Sequence, residues 1–536
     1  MSVPFAAPPI GAARATAPEI PMTRLHDWAR RQPDKVAFQM ADSSATLTYG
    51  ELDARANQTA QWLLSLGLAE GATIALLLEN QLRTFELWWG ARRAGLYYVP
   101  ISPLLTAGEV AYILRDSGAC MLLSSLALAE LASDVVGSLK PGEVPWRVLV
   151  DGSASGFIAL EDARAGFAQD ALLPERPVGR EFMYSSGTTG FPKGIRRPLL
   201  PLARRMDLPE LEVKLRSLAR LDEETVFLCP SPLYHATARF NLRVIECGGS
   251  CVILPKFDAE MSLAAIARWR TTHGHWVPTM FSRMLALPAE VRGRYDLSSL
   301  RIALHAAAPC PVPVKQAMID WWGLIVVEYY GGSENLGVTA IDTPQWLAHR
   351  GSVGRPICGE MHILSDTDHD TELPPGEIGL IYFGGGVSFR YHNDAGRTES
   401  VFNARGWGTY GDLGHVETDG YLYISDRRTD LIISGGVNIY PQESENVLAA
   451  HPAVADLAVI GVPNADFGQE VKAVVQLRSG HLASPGLAAE LLDWCHARLS
   501  RIKCPRSVDF AESLPRNENG KLLKRLLRDQ YARGSG

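Results

Sequence analysis

No apolar stretch in this 536-residue sequence reaches the roughly 18–20 residues that a membrane-spanning helix needs. Prolines interrupt every apolar run of the Ala/Pro-rich start, MSVPFAAPPIGAARATAPEIP, so it has no signal-peptide core. Residues 1–20 therefore read as a flexible leader. Cysteine is sparse: eight residues, scattered, with no Cys-x-x-Cys. Cys247 and Cys251 stand four apart without a second ligand pair, which argues against zinc and for small buried hydrophobes in a reducing compartment. Excess positive charge is also missing. The net charge of −7 excludes a whole-chain nucleic-acid binder, which would be basic. A cytoplasmic protein without an integral membrane segment is expected.

What is present is alternation. YGELDARANQTAQWLLSLG puts Leu52, Ala56, Ala60, Leu63 and Leu64 on one helical face. ATIALLLEN, YYVPIS, ACMLLSS, RVLVDG, TVFLCP, SCVILP and GHWVPT are short apolar runs fit for buried strands. Helical patterns between them, such as TFELWWGARRAG, imply parallel α/β layers. After about residue 375 the sequence turns short, alternating and glycine-punctuated, which predicts antiparallel β with a hairpin turn at TDGY. A small α+β segment follows. Its end is basic: ten Lys/Arg stand against four acids from Arg498 onward. That stretch reads either as a solvated amphipathic tail or as a surface for a polyanionic ligand.

Ser185 to Gly194, SSGTTGFPKG, carries four hydroxyls (Ser185, Ser186, Thr188, Thr189), glycines at 187, 190 and 194, and Lys193. Hydroxyls, approachable backbone N–H groups and an ammonium suit a polyphosphate. Gly187 and Lys193 match the spacing of a Walker loop, but Pro192 stands where that loop needs its second glycine and Gly194 where it needs a hydroxyl. Pro192 has no N–H and cannot begin the tight turn, so a P-loop NTPase is excluded. Glu328 to Gly337, EYYGGSENLG, offers Tyr330 to stack on a base, Gly331 and Gly332 for close approach, and Glu334 for Mg²⁺. A Gly-Gly turn with a capping serine explains that stretch nearly as well. Asp412 in YGDLG reads as a ribose ligand or an Asx-turn, and Lys521 in RNENGK as an exposed turn.

Together and in this order, the stretches resemble the adenylate-forming superfamily: acyl- and aryl-CoA ligases, luciferases and peptide-synthetase adenylation domains. The resemblance runs from LTYGELDARANQTAQWL through YSSGTTGFPKG, PLYHATA, AAAP, YYGGSEN, GSVGRP, YGDLG and SDRRTDLIISGGVNIYP to LPRNENGK. It implies an α/β fold: a large multi-layer N-terminal domain with parallel sheets and a β-rich subdomain (21–428), and a small mobile α+β C-terminal domain (429–536) with a hinge near 427–430. It implies that a carboxylic acid, ATP, Mg²⁺ and coenzyme A are used, by adenylation and then transfer to the thiol. Loading of a separate carrier protein is the alternative.

The resemblance also assigns roles. Ser185, Ser186, Gly187, Thr188, Thr189, Gly190 and Lys193 wrap the outer phosphates. Tyr330 and Gly331 on one side, with Ala306, Ala307, Ala308 and Pro309 on the other, flank adenine. Asp412 and Arg427 hold ribose, Ser333 touches the α-phosphate, Glu334 takes Mg²⁺, and Lys521 bridges carboxylate and α-phosphate. His235, Ala236, Arg239, Gly332 and Gly337 line the acyl pocket. The C-terminal domain rotates about Thr429 and Asp430 to bring Ser434, Gly435 and Gly436 to the path of CoA. His235 stands where amino-acid-activating members carry an Asp, and the chain runs only 15 residues past Lys521; both features favour a CoA ligase. Arg239 and Arg243, four apart on a helical face, either meet a polar or anionic distal group of the acid, or face solvent or an acid such as Glu246. Arg196 and Arg197 replace the family's Ser/Thr-His pair and are read as lying near phosphate or near the neighbouring subunit of a homodimer.

Overall fold

A computed structural model describes residues 25–170, 173–185, 192–204, 209–385, 389–435, 437–464, 466–517 and 521–533. The predicted leader at 1–20, the loop residues Ser186 to Gly190, and Gly436 lie outside these.

Local signals set the element ends. Thr48 and Thr106 each close a capping box, with Glu51 and Glu109, and so begin the helices Tyr49–Ser65 and Ala107–Ser117. Gly95 ends the helix Arg83–Ala94 in the left-handed conformation (φ 71°) that a glycine adopts without strain. The helix Tyr49–Ser65 buries Leu52, Ala56, Ala60 and Leu63 of the predicted face, while Leu64 is only half-buried.

Two sheets dominate the larger part. One is six-stranded and parallel throughout, in the order Ile158–Ala159, Trp146–Leu149, Ala119–Ser124, Thr73–Leu77, Tyr97–Ile101, Arg180–Glu181. The other has nine strands. Its centre, from Val36–Met40 across to Val326–Tyr330, is parallel, and antiparallel strands close both edges. Parallel strands covered on both faces read as unbroken apolar runs, which explains why the strand predictions succeed here. The helix Arg83–Ala94 packs Phe85 on Phe38, rings 3.6 Å apart, and so joins helix layer to sheet.

Beyond these lies the predicted antiparallel β region: Glu360–Leu364, Gly379–Gly384, Gly408–Val416 and Leu422–Arg427. Its last two strands are joined through a turn at Gly420 (φ 88°), where TDGY predicts one. From Ile432 onward a separate five-stranded sheet carries its own core of Ile432, Val459, Val471, Ala473, Leu491 and Cys495. The architecture is the expected α/β one, a large sheet domain and a small C-terminal domain. Among the described residues no helix is long and apolar enough to cross a membrane. Five of the cysteines are buried as expected, whereas Cys120, Cys310 and Cys358 are only half-buried.

Candidate active site

The phosphate-loop reading receives a frame from the backbone. Lys193 pairs in antiparallel register with Ser185, and Gly194 with Tyr184. The strands Met183–Ser185 and Lys193–Arg196 therefore clamp both ends of the loop, bringing Ser185 and Lys193 side by side across its mouth. A Cβ on Gly194 would come within 2.8 Å of the Phe182 ring, so the position that lacks a Walker hydroxyl is one where only glycine fits.

The second stretch leaves the sheet at Val326–Tyr330. The Tyr330 hydroxyl donates to Asp412 Oδ2 at 2.7 Å. Asp412 pairs with Arg427 along the backbone, and Arg427 Nε lies 3.2 Å from Asp412 Oδ1. Three predicted nucleotide residues, 82 and 97 positions from first to last, thus form one hydrogen-bonded set. Burial, with Asp412 behind it, pushes the Tyr330 phenol well above its ordinary range, so it stays protonated and remains a donor. Ala307 follows the strand Ile302–His305 at φ 75°, a left-handed conformation that is uncommon for a residue with a Cβ and typical of binding sites.

Glu334 accepts from the Tyr391 hydroxyl through Oε1 at 2.8 Å. A Cβ on Gly332 would stand 2.7 Å from Glu334 Oε2 and 2.3 Å from Tyr410 Cε1. The Tyr410 hydroxyl donates to Gly337 O at 3.0 Å and accepts from Gly337 N at 3.2 Å. The loop from Gly331 to Gly337 is therefore held by two tyrosines that the sequence reading missed. Tyr391 sits in no motif and Tyr410 opens YGDLG without a local sign of this role: they are 57 and 73 residues from their partners, and only the fold brings them there.

Lys521 comes to this site from the other domain. Asn517 Oδ1 accepts from its backbone N–H at 2.8 Å, and Asn517 N donates back to Lys521 O at 2.9 Å. The ammonium feels Arg427, Asp412, Asp430 and Glu334; burial, and next Arg427, bring it down to about 8. Ser434 and Gly435 sit elsewhere, paired with Gly468 and Phe467 of the small sheet.

His235 precedes the short helical turn Ala236–Ala238, its ring 4.6 Å from that of Tyr234. Burial lowers the imidazole to about 3, so it is neutral at pH 7. Arg239 opens the helix Arg239–Glu246, Arg243 lies in its last turn, and the two do share a face. Both meet an acidic neighbour, as the second expectation has it, but the acids are Glu181 and Glu212 rather than Glu246, and neither arginine faces solvent. Arg243 holds Glu212 through two bonds of 2.7 and 2.8 Å, Arg239 lies 3.1 Å from Glu181, and Glu246 is taken by Arg92 and Arg216. The helix turns inward, and both guanidiniums go with it. Arg197 is likewise buried and ion-paired to Glu181, facing inward rather than towards a subunit neighbour, while Arg196 lies over the Tyr97 ring at 4.6 Å.

Residues 25–391 match the family model of the AMP-binding enzyme, and residues 443–521 match the model of the AMP-binding enzyme C-terminal domain. The chain belongs to the AMP-binding enzyme family. Within it, the chain is 31% identical over 518 residues to a long-chain-fatty-acid–CoA ligase of Mycobacterium tuberculosis, covering 94% of this chain and 98% of the relative. It is 33% identical over 512 residues to a feruloyl-CoA synthase of an Amycolatopsis species, covering 94% and 97%. The crystal structure of ATP-bound MatB from Rhodopseudomonas palustris matches with a TM-score of 0.78 at 29% identity, covering 94% of this chain and 98% of that one.

Proposed function

We infer that the chain is an AMP-forming carboxylic acid:CoA ligase. The observation that carries this reading is Lys521, a cation from the small domain set among Asp412, Arg427 and Glu334 of the large one. An ammonium there faces the point where two anions must meet. A carboxylate oxygen of the acid attacks the α-phosphorus of ATP, the bond to the leaving pyrophosphate breaks, and negative charge builds on the α-phosphoryl oxygens. A positioned cation in a water-poor site offsets that charge most effectively.

The other roles rest on the motifs these residues occupy. Ser185 and Lys193, at the mouth of the 186–190 loop, hold the outer phosphates. Tyr330 and Gly331 flank adenine opposite Ala307, Ala308 and Pro309. Asp412, with Arg427, accepts from the ribose hydroxyls. Ser333 donates to the α-phosphate. The donor set suits Mg²⁺, since Glu334 keeps Oε2 clear of its bond to Tyr391, and one carboxylate plus substrate phosphates is how that ion is usually held. When bound, the ion would neutralise phosphate charge. Neutral His235, with Ala236, Arg239, Gly332 and Gly337, bounds the acyl pocket, and His235 acts there as a hydrogen-bonding or gating group rather than as a cation.

For the second step the small domain turns about 427–430, with Thr429 and Asp430 absorbing the change. Lys521 leaves and Ser434 to Gly436 arrive. The thiol sulfur of CoA then attacks the acyl carbon and AMP departs. We set the large domain at 21–428 and the small one at 429–536. Relatives named as CoA ligases favour free CoA over a carrier protein. The eight scattered cysteines, all free, favour a reducing compartment such as the cytoplasm.

The test is pyrophosphate release over a carboxylic-acid panel, with and without CoA. Release together with a CoA thioester is expected. Release without a thioester would leave an adenylating enzyme with another acceptor, and no release with any acid would overturn the reading.

A further inference from the structure

Behind the acyl side of the site lies a buried group of charges that the two-step reaction does not use. Glu181, at the end of the strand Arg180–Glu181, carries two guanidiniums: Arg197 is ion-paired to it and Arg239 Nε stands 3.1 Å from its Oε1. The three side chains are 10%, 5% and 14% exposed. Arg243 and Glu212 adjoin them. Half-buried Arg180 also feels Glu181. Among the described residues, the carboxylates that Arg180, Arg197, Arg239 and Arg243 face in this group are Glu181 and Glu212. The remaining neighbours do not balance the excess. Tyr98 and Tyr329 are phenols pushed upward by burial, His275 is neutral, and Glu246 is shared between Arg92 and Arg216.

An uncompensated charge of one sign is expensive in a low-dielectric interior. The protein shows the effect: burial, and then Arg197, bring the Arg239 guanidinium down to about 10. Among the described members Arg239 is also the least complete, with two unpartnered nitrogens against one, Nε, on Arg180. The Arg239 Nε and Nη2 are sealed from solvent without an aligned acceptor among the described residues, because Glu181 lies off the N–H direction. The cluster is linked to the reaction centre along the chain and through one hydrogen bond. Arg239 follows His235 by four residues. Arg197 donates to Asn335 once that amide is oriented to satisfy its own bonds, and Asn335 (φ 59°) directly follows Ser333 and Glu334.

We propose that Arg239, supported by Arg197 and Glu181, forms an oxyanion subsite of the acyl pocket that takes the second carboxylate of a dicarboxylic acid. This rests on the ligase reading above and names its substrate class. A guanidinium presents paired donors that match a carboxylate. A carboxylate there would supply the missing anion. Glu181 holds the cluster in shape and sets its selectivity, since it repels an anion placed anywhere but on the Arg239 side.

The test measures kcat/KM for CoA-thioester formation with dicarboxylates of four to ten carbons and with their monomethyl esters, which keep length but lose the distal charge. For the best chain length, the diacid should exceed its half-ester by about tenfold or more, since a charge-assisted bond is worth roughly 1.5–3 kcal/mol. Arg239→Met should bring the ratio close to one, mainly through KM, and Arg239→Lys should leave an intermediate ratio. Half-esters that match or exceed the diacids at every length in the wild type would overturn the proposal, whether or not the variants fold. So would Arg239→Met lowering both classes equally, the signature of a structural arginine. A variant that changes inhibition by inorganic pyrophosphate but not the diacid ratio would place the subsite with phosphate and overturn it as well. Failure of every acid to release pyrophosphate is a separate result that removes the ligase reading and this proposal with it.

Discussion

At the scale of single residues, the divided labour of Lys521 makes two predictions. Lys521→Ala should slow acid-dependent ATP–pyrophosphate exchange by about 10²–10³-fold, the usual effect of removing one transition-state donor. Conversion of supplied acyl-AMP to thioester should suffer far less; a comparable loss in both half-reactions would refute the assignment. The second prediction concerns pH. Burial, and then Arg427, bring the ammonium down to about 8. The protonated form is the active one, so kcat/KM for adenylation should fall as pH rises through about 8. Bound ATP adds negative charge and favours the ammonium, so kcat should fall only at higher pH. A profile flat from pH 7 to about 9.5 would contradict this account of the lysine. His235, already neutral, should contribute no step near its ordinary pKa.

At the scale of elements, glycines set how closely the acyl-side loop can be packed. A Cβ on Gly337 would stand 2.1 Å from Phe383 Cδ1, deep in a core where the ring cannot swing aside. Gly337→Ala should therefore destabilise by about 1–3 kcal/mol, as overpacking does. It should also loosen the Tyr410 bonds that fix the loop. Chemical denaturation with the slope m checked would show this, and an unchanged midpoint would mean the loop shifts freely. The same elements show what the sequence discloses. Helices and parallel strands are legible because their apolar periods are local and their caps stand in line, as at Thr48 and Glu51. The nucleotide residues are legible because they sit in dense stretches of glycine, hydroxyl and charge. The pairing of Ser185 with Lys193, the bond from Tyr391 to Glu334, and the Glu181 and Glu212 partners of the arginines are not. Each depends on chain segments that meet only after the sheets have stacked, and no local pattern distinguishes a glutamate that will be buried from one that will be solvated.

At the scale of the whole molecule, the contacts between the two domains near the proposed hinge can be weighed. Asp426 Oδ2 accepts from Gln442 N at 3.0 Å across the boundary, and Leu431 and Tyr440 of the small domain pack against Leu364, Leu380, Tyr382 and Leu413 of the large one. Asp430, in the single turn Arg428–Asp430 that would absorb the rotation, is gripped by Arg528 at 2.6 Å from the last helix. This pair ties the turn to the small domain in the arrangement that seats Lys521. Backbone rotation at 428–430 would have to release and remake it. Both side chains are partly exposed, so the pair is worth about 0.2–1 kcal/mol rather than the several that a buried one would be. If it favours the adenylation arrangement, Arg528→Ala should slow pyrophosphate exchange by at most about fivefold, which is what 1 kcal/mol supports. Thioester formation from supplied acyl-AMP should hold steady or rise by a similar factor. Loss of both rates together would mean that the helix Lys524–Arg533 has come away from its packing at Leu527, and a drop in thermal midpoint would accompany it. Equal rates in both half-reactions, with an unchanged midpoint, would show that Arg528 takes no part in setting the balance between the two arrangements.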